Sequence, residues 1–127
     1  MQNIQDRSFE FALRIVRLHD HLCTKRGAAR TIARQVLKSG TSVGANLEEA
    51  SSAQSKPDFI SKCSIAAKEA RETRYWLRLL AGCKSVAPQR IAPLVKEAGE
   101  IVAVVTTIVK NAGNSSSRGH STFNIQH

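Results

Sequence analysis

Four kinds of residue in this 127-residue chain have the types and spacings that chemistry uses. The first is the histidine and cysteine set. His19 and Cys23 are four residues apart and could share a metal ion on one helix face. A zinc site needs three or four ligands, and no third lies nearby in sequence. His21 points to a different face from His19, and His120 and His127 lie far away near the end of the chain. The pair therefore reads as a surface imidazole and a buried thiol, with no metal site and no cofactor expected. The second is Cys63. A thiol nucleophile needs a histidine base and an exposed, electropositive setting. Nothing in the sequence places such a base, and Cys63 sits at an apolar position of a repeat. The third is the carboxylate pair Glu48 and Glu49, whose adjacency makes the side chains diverge on a helix and unsuits them to acid–base work. Outside these four, Gly40-x-x-x-Gly44 lacks the lysine and the spacing of a phosphate-binding loop, so it reads as a place where another helix crosses closely.

The fourth kind, the cations, is the stronger lead. Arg30, Arg34 and Lys38 are spaced by four and line one helix face, and no acid occurs between Asp20 and Glu48. Lys68, Arg71, Tyr75 and Arg78 form a second stripe, with Arg74 beside it. A row of cations interleaved with an aromatic ring can hold phosphates and stack a base. The alternative is a solvated face laced by pairs such as Lys68 and Glu72. The composition leans toward the first reading. Lys and Arg number 19 against 10 acids, giving a net charge of +9. By segment the net charge is +2 for residues 1–26, +1 for 27–55, +3 for 56–82, +1 for 83–109 and +2 beyond. No acidic block offsets this, so an acidic partner is expected.

Those residues must be positioned by helices. In a first helix, about 7–25, two apolar stripes run side by side: Phe9, Ala12, Leu13, Val16 and Phe11, Ile15, Leu18, Leu22. Gly27 is the expected terminator. Two stripes are more than one bundle seam needs, which predicts assembly with further copies. A second helix, about 28–52, contains the poor helix formers from Ser39 to Asn46. The apolar phase from Leu37 through Val43 to Leu47 predicts that the helix continues through them. A third, about 56–82, opens with a Ser55 cap, Pro57 and Asp58, and repeats Phe59, Cys63, Ala66, Ala70, Thr73, Leu77 and Leu80 at alternating spacings of four and three. A fourth, about 89–111, carries the β-branched run Ile101 to Val109. That run could be a strand, but its phase continues a helical pattern begun ten residues earlier. Short connections predict an all-α, up-and-down antiparallel four-helix bundle over residues 1–111. Residues 112–127 are expected to be a disordered tail.

The stretch from Gln35 to Ala50 resembles the signature of the bacterial four helix bundle protein family, whose members are encoded in intervening sequences of 23S ribosomal RNA genes and also occur free-standing. Ser55 to Ile60 and Ala67 to Leu80 resemble it too. The resemblance spans about residues 7–111. It implies a bundle assembling as a ring-like homopentamer, with no known enzymatic activity. Related accessory variability proteins of retroelements bind a reverse transcriptase and nucleic acid. No catalytic or binding residues come with the resemblance.

The expectation is thus a non-enzymatic, oligomeric, basic bundle that binds RNA or DNA, with RNA favoured. The alternative is a scaffold docking an acidic protein or a polymerase. The N-terminal residues form no secretory signal, the longest apolar run is too short for a membrane helix, and three unpaired-looking cysteines suit a reducing cytoplasm.

Overall fold

The computed structural model describes residues 3–114. The expected tail from residue 115 onward, with His120 and His127, lies outside the described residues. Four helices fill the rest: α1 Ile4–Leu22, α2 Ala28–Ser51, α3 Lys56–Gly82 and α4 Pro88–Asn114. No strand occurs among the described residues, and Ile101 to Val109 is helical. No helix among them is long and apolar enough to cross a membrane.

Local chemistry explains most of the boundaries. Ser55 caps α3 by accepting from the Asp58 N–H at 3.2 Å, as the sequence predicts. The first helix departs from expectation at both ends. It begins at Ile4 because the Asn3 side chain accepts from the Asp6 N–H at 2.8 Å. It ends at Leu22, where the Cys23 N–H bonds to the His19 carbonyl at 2.7 Å. Gly27 is not its terminator; with φ of 76° it is the residue that turns the chain into α2. The fourth helix also outruns its expected end, so residues 112–114 belong to α4 and not to a tail.

Each helix packs on its neighbours in a closed circuit: α1 on α2, α2 on α3, α3 on α4, and α4 back on α1. The α1–α4 seam is the thinnest. Neighbouring helices run in opposite senses. Gly40 lies against Ile15 and Gly44 against Ser8, while Ser39 meets Thr73 and Glu49 meets Lys62. The α3 repeat is buried at every predicted position, from Phe59 to Leu80. Its alanines Ala66 and Ala70 leave room for close neighbours. Across the α2–α3 contact the buried Thr73 hydroxyl donates to the Ser39 hydroxyl at 2.9 Å, which donates on to the Gln35 carbonyl at 2.8 Å. Both buried hydroxyls are thereby satisfied.

Gly40 and Gly44 do what their spacing predicts. A Cβ on Gly40 would stand 2.9 Å from Ile15 Cγ2, so only glycine lets α1 approach this closely. The α1 helix itself corrects one expectation. Its buried face is Ile4, Ser8, Phe11, Ile15, Leu18 and Leu22. The stripe from Phe9 to Val16 is not buried within the chain: Phe9 is 63% exposed and Val16 39%. Ser8 is the reason. It occupies an inward position as a small polar residue, its hydroxyl donating to the Gln5 carbonyl at 3.0 Å, and so disguises the true phase.

Where Arg7 of α1 faces α4, charged hydrogen bonds join the two helices. The Arg7 guanidinium donates to both carboxylate oxygens of Glu97, at 2.7 and 2.9 Å, and to Glu100 at 2.7 Å. These bonds hold the Arg7 proton more firmly than in water.

Candidate nucleic-acid interface

The first cationic stripe is set by the burial of α2. Ile32, Ala33, Val36, Ser39 and Gly40 turn inward, which leaves Arg30, Arg34 and Lys38 exposed on the opposite face. None of the three side chains has an ion-pair or hydrogen-bond partner among the described residues. Four residues of helix rise about 6 Å, so the three charges are evenly spaced along the first half of α2. The second half carries the exposed Glu48 and Glu49, with Glu49 3.8 Å from Lys62. Positive charge is therefore confined to one end of the helix.

On α3, Lys68, Arg71, Tyr75 and Arg78 are all exposed. They do not merge with the α2 stripe. Thr73 and Lys62 are the α3 residues turned toward α2, while Arg71 and Arg74 share a cleft with Gly99 and Val102 of α4. The Arg74 side chain passes over Gly99, where a Cβ would stand 3.5 Å from its Nε. Arg78 borders a groove of about 490 Å³ with Val86, Ile91 and Val95. Tyr75 is 56% exposed and meets the Trp76 ring edge-on, the centroids 5.2 Å apart. The Trp76 indole donates to Glu72 at 3.2 Å. Glu72 is thus held by tryptophan and forms no ion pair with Lys68.

The remaining candidates have local explanations. His19 Nδ1 lies 3.5 Å from the Asp20 carboxylate, and the Cys23 thiol donates to the Asp20 carbonyl at 3.3 Å. No group of three or more metal-ligating side chains occurs among the described residues. Burial pushes the Cys63 thiol up to about 11, so it stays protonated near neutrality and is a poor nucleophile there.

One set of cations escapes a linear reading. Arg14 and Arg17 of α1 and Arg90 of α4 line a common cleft. Only their spacing of three hints that Arg14 and Arg17 act together, and nothing in the sequence brings Arg90 to them.

These features define a class: a basic four-helix protein that buries most of its apolar residues between helices and displays its unpaired cations outside. The chain belongs to the 23S rRNA-intervening sequence protein family, whose sequence profile matches residues 2–107. It is similar to a solved structure from Bacteroides thetaiotaomicron, a protein of unknown function from the S23 ribosomal protein family. That similarity has 40% identity and a TM-score of 0.78, covering 84% of this chain and 98% of the other. No curated protein matches the chain.

Proposed function

We propose that this protein is a non-enzymatic, cytoplasmic nucleic-acid-binding bundle that works as a homo-oligomer. The observation that carries the reading is the α2 stripe, three exposed cations on one line with no acid to neutralise them. Phosphates are the natural partner of such a line, because each contact releases condensed counterions. The family's tie to 23S rRNA favours RNA over DNA. The α3 stripe of Lys68, Arg71, Tyr75 and Arg78 is a second contact face, with Tyr75 free to stack a base. The test is a triple variant, R30A/R34A/K38A, titrated with RNA, single-stranded DNA and duplex DNA at several salt concentrations. Three lost phosphate contacts should make the salt slope shallower by about 2 on single strands. Unchanged affinity at every salt concentration refutes the stripe.

The exposed Phe9 and Val16 favour a protein contact as well. Self-assembly is the occupant proposed for that face, and the family resemblance supplies five as the number. Light scattering should return a multiple of 13.9 kDa, and F9E should lower the mass without loss of helicity. An F9E mass equal to the parent's removes Phe9 from the assembly face. A monomeric parent would instead favour a scaffold for an acidic protein or a polymerase.

A further inference from the structure

The α1–α4 seam has two levels. At the first, Arg7 is answered by Glu97 and Glu100. Seven residues on along α1 stands Arg14, and seven residues back along α4 from Glu97 stands Arg90. Both steps are two turns, about 10.5 Å, so the second level repeats the first. There a cation takes the place of the acid. Arg14, Arg17 and Arg90 line one cleft of about 240 Å³, and none of the three side chains has a hydrogen-bond or ion-pair partner among the described residues.

Three guanidiniums around one cleft repel one another until an anion is shared between them. Each offers several N–H donors in a planar fork that suits phosphate oxygens. The buried Leu18 and Leu94 supply a wall of low polarity, which strengthens a charge-assisted hydrogen bond. Pro93 adds a further element. It has no N–H, so the carbonyl of Gln89 loses its usual helical donor, and both residues line the cleft. A guanidinium can satisfy that carbonyl and keep other donors for a ligand. The volume is below the roughly 300–1,000 Å³ of pockets that enclose drug-sized ligands, which suits a single phosphate better than a whole nucleotide.

We propose that the Arg14–Arg17–Arg90 cleft seats one backbone phosphate of the bound nucleic acid; this rests on the nucleic-acid reading above. The test has two arms, both on the full chain. In the first, the arginine Nε–H signals are followed by NMR during titration with inorganic phosphate, against sodium chloride at equal ionic strength. Saturating shifts at Arg14, Arg17 and Arg90 are expected in phosphate alone. In the second, the parent and R14Q/R90Q are titrated with a short single-stranded RNA across a salt series. Loss of that one phosphate contact makes the slope shallower by about 0.7. A phosphate response with unchanged RNA binding by R14Q/R90Q overturns the backbone assignment and leaves a site for free phosphate. No phosphate-specific response and unchanged RNA binding overturn the site, while R30A/R34A/K38A still judges the α2 stripe separately. A parent that responds to phosphate but binds no nucleic acid overturns the wider reading and the backbone assignment with it, and leaves a site for free phosphate. R17Q in the phosphate arm serves as the second variant should R14Q/R90Q lose helicity.

Discussion

Adding one methyl group to each of the two α2 glycines should move stability in opposite directions. At Gly40 a new Cβ would lie 2.9 Å from Ile15 Cγ2, 3.0 Å from Cγ1 and 3.4 Å from Cβ. Those atoms belong to a β-branched, fully buried side chain that cannot swing aside, so the helices themselves must part. Overpacking of this kind costs about 1–3 kcal/mol. Replacing glycine within a helix returns about 1 kcal/mol of backbone propensity. Gly40→Ala is therefore expected to destabilise by about 1 kcal/mol. At Gly44 the nearest atoms are Ser8 Oγ at 3.4 Å and the Ser8 backbone at 3.7 Å, which is ordinary contact. Gly44→Ala keeps the propensity gain and should stabilise by up to about 1 kcal/mol. Urea titration followed by helical circular dichroism reads both. With a slope of about 1–3 kcal/mol per molar, the Gly40→Ala midpoint falls by roughly 0.3–1 M and the Gly44→Ala midpoint rises. Ile15→Ala removes the colliding atoms, so the double variant I15A/G40A should cost less than the sum of the single changes. If both glycine variants shift the midpoint the same way, or if the double variant is additive, the α1–α2 approach does not rest on Gly40.

The other expectations concern the charged seam and the thiols. Arg7→Ala should destabilise by about 1–3 kcal/mol, because it strips the partner from the mostly buried Glu97, while Glu100→Gln on the exposed side costs less; equal losses in urea titration refute this ranking. The Cys63 thiol ionises near 9.0 when unfolded and near 11 when folded, so above pH 9 the unfolded chain loses that proton first. Stability should fall as pH rises from 9 toward 11, and Cys63→Ala should remove that share of the decline; a parent and variant with parallel pH profiles refute it. An aromatic disulfide reagent should modify exposed Cys83 fastest, half-buried Cys23 more slowly, and Cys63 only after unfolding, read as three kinetic phases of released thiolate.

How legible this architecture was depends on whether a feature is local. The α3 repeat and the Ser55 cap are written within a few residues, and both stand where the spacing puts them. The passage of α2 through Gly40 and Gly44 was legible because the apolar phase crosses them unbroken. The phase of α1 was less clear. Ser8 hides an inward position and Phe9 advertises an outward one, so two stripes compete until packing chooses. The α2 and α3 cations were readable as stripes, but their separation onto different faces required the placement of α4 beside Arg71 and Arg74. The Arg14, Arg17 and Arg90 cleft was not readable at all, since it joins residues more than seventy positions apart.

The thin α1–α4 seam has a consequence for biosynthesis. The three other helix contacts join elements consecutive in the chain and can form as hairpins while synthesis proceeds. Closure of α1 on α4 must wait for Glu97 and Glu100, about ninety residues after Arg7. Until then α1 is held by α2 alone, with one flank open to any other nascent chain. The same seam is the one expected to open first when the finished protein breathes, because it is the thinnest of the four helix contacts. A helix tethered by a short loop and held on one flank by its thinnest contact is the kind of element that domain swapping exchanges between copies.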